Sequence, residues 1–208
     1  MAKNIGISRF ADRVNFYIDF QNSYEAARSV FHEKKEPGRK GTFYPKALAN
    51  QIVKIGEHPR VLNEVRVYRG MPSQEYEAFT HDAAQRQMDK WVKSDLTVIT
   101  RPLMYQQNSN GNRRGFEKGI DVLLALDLVR GAIEDEYDVA VVVSCDTDIV
   151  PAIERVMEST DKRVEVVGWK GPYGTTNRLV SGLKHLWAHW IDEGAYSKII
   201  DNTNYTTD

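Results

Sequence analysis

Residues 138–144, DVAVVVS, constrain this chain more than any other stretch. The run from Val139 to Val143 has no polar alternation, so a strand built from it has no face to give to water. Such strands lie at the centre of parallel sheets, covered by helices on both sides. The neighbouring segments agree. Strand-like runs at 14–18, 62–70, 96–105, 138–144 and 163–169 alternate with helical patterns at 22–33, 45–56, 73–93, 119–134 and 148–159. Pro45 suits a first helical turn, and Gly70 and Pro72 stop the second strand. On the fourth helix, Ile120, Leu123, Leu124, Leu126 and Val129 are expected to face the core. The Asn- and Gly-rich stretch 106–115 reads as a loop, and 176–184 as a short helix before the apolar segment 185–191. The last residues, DNTNYTTD, are expected to fray. Strict β–α alternation predicts a parallel sheet with helices on both faces, with ligands beyond the carboxyl ends of the strands.

The acids fall where such a sheet places its sites. Asp19 directly follows the first strand, and Asp146 and Asp148 follow the most apolar one. Asp121 opens the helix after the polar stretch. Each alone has a local role available, as a helix cap or first-turn acid. Together at one sheet edge they repel, and some must take up protons unless a cation joins them. Mg²⁺ or Mn²⁺ suits oxygen donors and can activate water and stabilise charge on a phosphate. Asp127, on the same helix, is an outer candidate whose simpler reading is a helix acid.

The 208 residues suffice for one α/β domain over 1–208, with its core at about 12–192. The single cysteine, Cys145, excludes a disulfide framework and a cysteine-rich zinc site, and reads as a packing thiol. The start, MAKNIGISRFADR, lacks an apolar signal core, and no run approaches a membrane span, so a cytoplasmic protein is the simplest reading. A net charge of −1 counts mildly against nucleic-acid binding. Acids gathered at one site nevertheless leave the remaining surface more basic. Local cations stand at Lys34, Lys35, Arg39 and Lys40 and again at Arg113, Arg114 and Lys118. Arg113 and Arg114 are candidate phosphate contacts for a flexible single strand, with Arg66 and Arg69 extending the path. Tyr24, Tyr68, Tyr105 and Trp169 are candidate stacking rings, with core or rim packing the simpler role. A homodimer or a protein partner is compatible with the sequence.

The segments VNFYIDFQN (14–22), KGIDVLLALD (118–127) and VAVVVSCDTDIVP (139–151) together resemble the signature stretches of the NYN domain family, within the PIN-like nuclease superfamily. The resemblance spans roughly residues 12–192. It implies a Rossmann-like, PIN-type three-layer sandwich, an acidic Mg²⁺ or Mn²⁺ site and endoribonuclease cleavage. The family's metal-site acids carry over onto Asp19, Asp121, Asp146 and Asp148, its Asn onto Asn22 and its Lys onto Lys118. Asn22 then orients water or phosphate, or caps the helix; Lys118 contacts a backbone phosphate. The third stretch departs from the usual S-G-D-S-D-F, with Cys145, Thr147 and Ile149 at the variant positions, but no carboxylate is lost. A non-catalytic RNA-binding module is the main alternative. VVVSCDTDIV also resembles the D-x-D opening of haloacid-dehalogenase-type phosphatases, a reading that leaves Asp19 and Asp121 unused.

Overall fold

The computed structural model describes residues 11–56, 58–107, 109, 111–176, 179, 183 and 186–206. In chain order the elements are β1 (Asp12–Asp19), α1 (Phe20–Phe31), α2 (Pro45–Lys54), β2 (Arg60–Met71), α3 (Gln74–Val92), β3 (Thr97–Pro102), β4 (Met104–Gln107) and β5 (Arg113–Phe116). They continue with α4 (Ile120–Ile133), β6 (Val139–Val143), a 3₁₀ turn (Thr147–Ile149), α5 (Val150–Ser159), β7 (Arg163–Gly171), β8 (Gly174–Thr176), β9 (Trp187–Ile191) and α6 (Glu193–Tyr196). The sheet runs β3-β2-β1-β6-β7, all parallel, and β7 pairs further with parallel β9 and antiparallel β8.

The alternation of side chains along the central strands builds two cores. Val14, Phe16 and Ile18 of β1, with Val139, Val141 and Val143 of β6, pack towards α1 and α2 through Phe20, Val30, Leu48 and Ile52. Tyr17, Ala140 and Val142 face the other way, onto Ile120, Leu124 and Leu128 of α4 and Ile153 and Val156 of α5. This is the doubly covered, mainly parallel sheet that the valine run requires. The chain proceeds from β1 through β2 to β3 on one side and from β6 to β7 on the other. The strand order therefore reverses between β1 and β6, the crevice where α/β sheets bind ligands.

Several expectations change. The third strand, expected over 96–105, ends at Pro102, and residues 104–107 and 113–116, overlapping the loop expected over 106–115, form an antiparallel hairpin apart from the main sheet, pairing Met104 with Phe116 and Tyr105 with Gly115. Tyr105 anchors it, its ring 4.9 Å from that of Tyr76 and its hydroxyl accepting from the Ser73 N–H. On α4, Leu126 is 62% exposed and Leu128 is buried, because Ile120, Leu124 and Leu128 follow one another at i+4 on the inner face. Thr176 ends β8, and most of the helix expected over 176–184 lies outside the described residues. The tail does not fray over 201–206. Asp201 is buried, its N–H donates to the Thr42 carbonyl, and Arg86 Nε and Lys90 Nζ donate to the Tyr205 carbonyl and Thr203 Oγ1. Among the described residues no helix is long and apolar enough to cross a membrane.

At the amino ends of the strands, away from the reversal point, Glu165 is buried against Arg60 (2.6 and 2.8 Å) and His189 (2.6 Å). Burial pushes its carboxyl pKa up, but His189 and Arg60 more than offset this and hold it at about 2. The ionised group thus contributes stability above its unfolded value, and that contribution is lost as pH falls towards about 2. Glu165→Gln is expected to cost about 3 kcal/mol at pH 7, since it strands a buried guanidinium. In urea denaturation the gap to the wild type should close as pH falls from about 5 to about 2; a gap that stays constant would contradict this account.

Candidate active site

Asp19 is the last residue of β1 and the N-cap of α1. No loop separates strand from helix, so its side chain is held at the sheet edge, 4% exposed, with Oδ1 accepting the Asn22 N–H at 3.2 Å. Ile18 is in register with Val143, which brings Ser144, Cys145 and Asp146 alongside. Asn22 fastens the two strand ends together: its Oδ1 accepts the Cys145 N–H at 2.7 Å. Ser23 Oγ donates to the Val143 carbonyl at 2.7 Å, and Ser144 Oγ accepts the Asp146 N–H at 3.1 Å. Asn22 is thus a brace between the two acid-bearing ends, a role that helix capping alone does not describe.

A cleft of about 240 Å³ opens here, lined by Asp19, Gln21, Asn22, Glu25, Glu117, Ile120, Asp121 and Asp146. Glu117 was missed in the sequence. Its Oε1 accepts the Gly70 N–H, and a Cβ at Gly70 would lie 2.6 Å from Glu117 Cγ, so a larger residue there would push the Glu117 side chain aside. The available signal was an acid four residues before Asp121, beside Lys118 and Gly119. Burial pushes the Glu117 carboxyl up, with Glu25 and Asp121 adding to the effect and the Gly70 N–H and Arg69 opposing it. Asp19 is pushed up to about 7, first by burial and then by Glu117, Asp146 and Asp121, against the Asn22 N–H.

The other predicted residues stand elsewhere. Asp148 is exposed and does not line the cleft; its backbone N–H donates to Asp146 Oδ1 at 3.0 Å, so that Asp146 caps the 3₁₀ turn. A dehalogenase-type pair, which needs both acids at one centre, does not fit this arrangement. Lys118 is exposed just outside the cleft. Arg113 lies 4.3 Å over the Tyr76 ring, and Arg114 and Arg69 line a neighbouring cavity with Glu117. Arg66 does not extend the path, because it is buried in ion pairs with Glu64 and Glu136. Tyr68 and Trp169 are core residues, Tyr68 donating to Asp127 at 2.9 Å; Tyr24 and Tyr105 are partly exposed. Asp127, also paired with Arg130 at 3.1 Å, serves the helix. Cys145 is half-buried and packs against the core.

The cleft's donors are carboxylate oxygens, the set that a hard divalent ion prefers. Among the described residues, however, no three His, Cys, Asp or Glu side chains are drawn together closely enough to hold an ion. The donor chemistry fits such an ion, and the side chains face one cleft without forming a ligand shell.

The NYN domain family model matches residues 13–185. A protein of unknown function from Vibrio parahaemolyticus has a similar structure, with a TM-score of 0.53, 21% identity and coverage of 88% of this chain and 96% of the other; this likeness concerns the fold. The chain is also 39% identical over 77 residues to 6-hydroxy-3-succinoylpyridine 3-monooxygenase HspA from Pseudomonas putida. That match covers 37% of this chain and 24% of the relative, so the chain spans about a quarter of that protein.

The Asp19 environment has a consequence for stability. Its folded value lies above the unfolded 3.8, so the folded state keeps the proton longer, and ionisation from pH about 4 to about 7 destabilises the chain. Asp19→Asn keeps a capping side chain without the charge. In EDTA at pH 8 it should stabilise the protein by about 2–4 kcal/mol, with the gain vanishing near pH 4. Urea denaturation across that range tests this, and a variant less stable than wild type at pH 8 would refute it.

Proposed function

This chain belongs to the NYN domain family of PIN-like nucleases, and from that premise we propose that it is a metal-dependent ribonuclease hydrolysing RNA phosphodiester bonds at the acid cleft. The observation that carries this reading is Asp19: a buried carboxyl at the sheet's reversal point, pushed up to about 7 by its burial and by three further acids. Such a concentration of like charge calls for protons or for a cation. Asp19, Glu117, Asp121 and Asp146 are the residues that would hold Mg²⁺ or Mn²⁺. When bound, the ion supplies Lewis-acid stabilisation of phosphate charge and lowers the pKa of water.

The chain's own groups do the rest. Asn22 keeps the Asp19 and Asp146 ends at fixed separation, and Asp148 assists through its backbone N–H on Asp146. Glu117 Oε1 accepts the Gly70 N–H, which sets its carboxyl at the cleft wall. Lys118, Arg113 and Arg114, all exposed near the rim, supply positive charge to the strand's phosphates. RNA is preferred over DNA on the family's behaviour. The similarity to a monooxygenase gives no equal support, because among the described residues Ile120 is the sole apolar side chain lining the cleft, a poor bed for a pyridine ring.

Labelled single-stranded RNA should be cut in Mg²⁺ or Mn²⁺, poorly in Ca²⁺ and not in excess EDTA. Asp146→Asn, with unchanged circular dichroism, should lose about 10²-fold or more of the rate. RNA bound but never cut with either ion would instead make this a binding module, and equal cutting in EDTA would sink the metal-dependent mechanism.

A further inference from the structure

The acid cleft continues beyond Glu25. Gln21, Glu25 and Glu117 also line a cavity of about 390 Å³ that reaches Arg69 and Arg114. Gln21, Arg69 and Thr80 in turn line a solvent-open chamber of about 270 Å³, bordered by Phe20, Tyr24, Arg39, Gln87 and tail residues Thr203–Thr206. The three cavities are neighbours, sharing Gln21, and lead from Asp19 to a chamber walled by α1, α3 and the C-terminal tail.

Two groups in the chamber are incompletely used. Arg69 makes no ion pair with any described residue; its guanidinium lies over Phe20 (5.4 Å) and Trp91 (5.9 Å), and its Nη1 donates to neutral Gln87 Oε1. Burial pulls its pKa down to about 10, with Glu117 alone opposing. A desolvated cation whose nearby carboxylate, Glu117, makes no direct ion pair with it favours an incoming anion, and a planar fork suits phosphate oxygens. Gln87 is 5% exposed, and while its Oε1 is taken, its Nε2 donates to no described residue. An amide N–H₂ on the wall of a cavity offers a donor to an acceptor on whatever fills it. Tyr24 and Tyr205 supply aromatic surface, each held by its hydroxyl, to the Gly38 carbonyl and to Asp201 Oδ2 respectively, so their rings are set in advance.

We propose that this chamber binds one nucleotide of the substrate strand, with Arg69 on its phosphate and Gln87 Nε2 and the Tyr24 and Tyr205 rings on its base. The identity of the strand rests on the nuclease reading above; the chamber's ligand chemistry does not. A base can enter only when unpaired and splayed from its neighbours, so cleavage requires a single-stranded nucleotide near the cut.

Calorimetric titration of the full chain in EDTA separates the two claims, because no turnover is needed. A nucleoside 5′-monophosphate should bind at least about tenfold more tightly than inorganic phosphate, the base adding stacking and an amide contact. Arg69→Gln should weaken the mononucleotide about 10–100-fold, and Gln87→Ala about 3–10-fold with a changed preference among the four bases. Tyr205→Ala covers the case in which Arg69→Gln unfolds; it should narrow the gap between mononucleotide and phosphate. Equal binding of phosphate and mononucleotide, no binding at millimolar concentration, or full affinity in folded Arg69→Gln and Gln87→Ala would each overturn the chamber. So would equal cleavage of duplex and single strand by the wild type, an outcome that leaves the nuclease reading standing. Mononucleotide binding without RNA cleavage would keep the chamber and remove the nuclease.

Discussion

The pairing of β1 with β6 is the constraint on which the rest of the structure depends. Both strands are buried on both faces, so their register cannot slip without moving apolar side chains out of both cores. That register sets Asp19 next to Ser144 and Asp146, and Asn22 secures it with a bond from side chain to backbone across the junction. Because α1 begins at the residue after Asp19, the acid inherits the rigidity of the sheet.

That stiffness has an electrostatic cost. Asp19 is withdrawn from water and surrounded by acids that share its cleft, and its pKa rises towards neutrality. Glu117 is drawn in by the close approach of the Gly70 backbone and shares the same conflict. The opposite end of the sheet resolves a similar problem internally, where Glu165 is met by Arg60 and His189. Among the described residues that line it, the acid cleft contains no Lys, Arg or His to play that part. Like charge gathered in one crevice is the pattern expected where a ligand completes the charge balance.

Most of the architecture was legible because the signals were local. The valine run declared its own burial, and Pro72 and Pro45 punctuated the chain as their backbone limits require, although Gly70, expected to stop β2, lies within it. The hairpin at 104–116 was not legible, since its polar composition reads as loop and its anchor is the contact of Tyr105 with Tyr76 and Ser73. The docked tail was equally hidden: its short polar residues are held by Arg86, Lys90 and Thr42, far away in sequence. Arg66 and Arg69 look alike in sequence, three residues apart on one strand, yet the first is spent in ion pairs and the second faces open space.

The sequence by itself determined the sheet, its helical cover and the placing of Asp19 and Asp146 at strand ends, because hydrophobic periodicity and chain order suffice for those. It also carried the family's motifs. Tertiary structure alone decided which acids share a cleft: Glu117 enters and Asp148 stays outside. Side-chain direction after a strand end depends on the next turn's hydrogen bonds and on how closely another backbone approaches, and the Gly70–Glu117 contact spans 47 residues. No local pattern encodes a contact of that separation; only the packed sheet brings the two together.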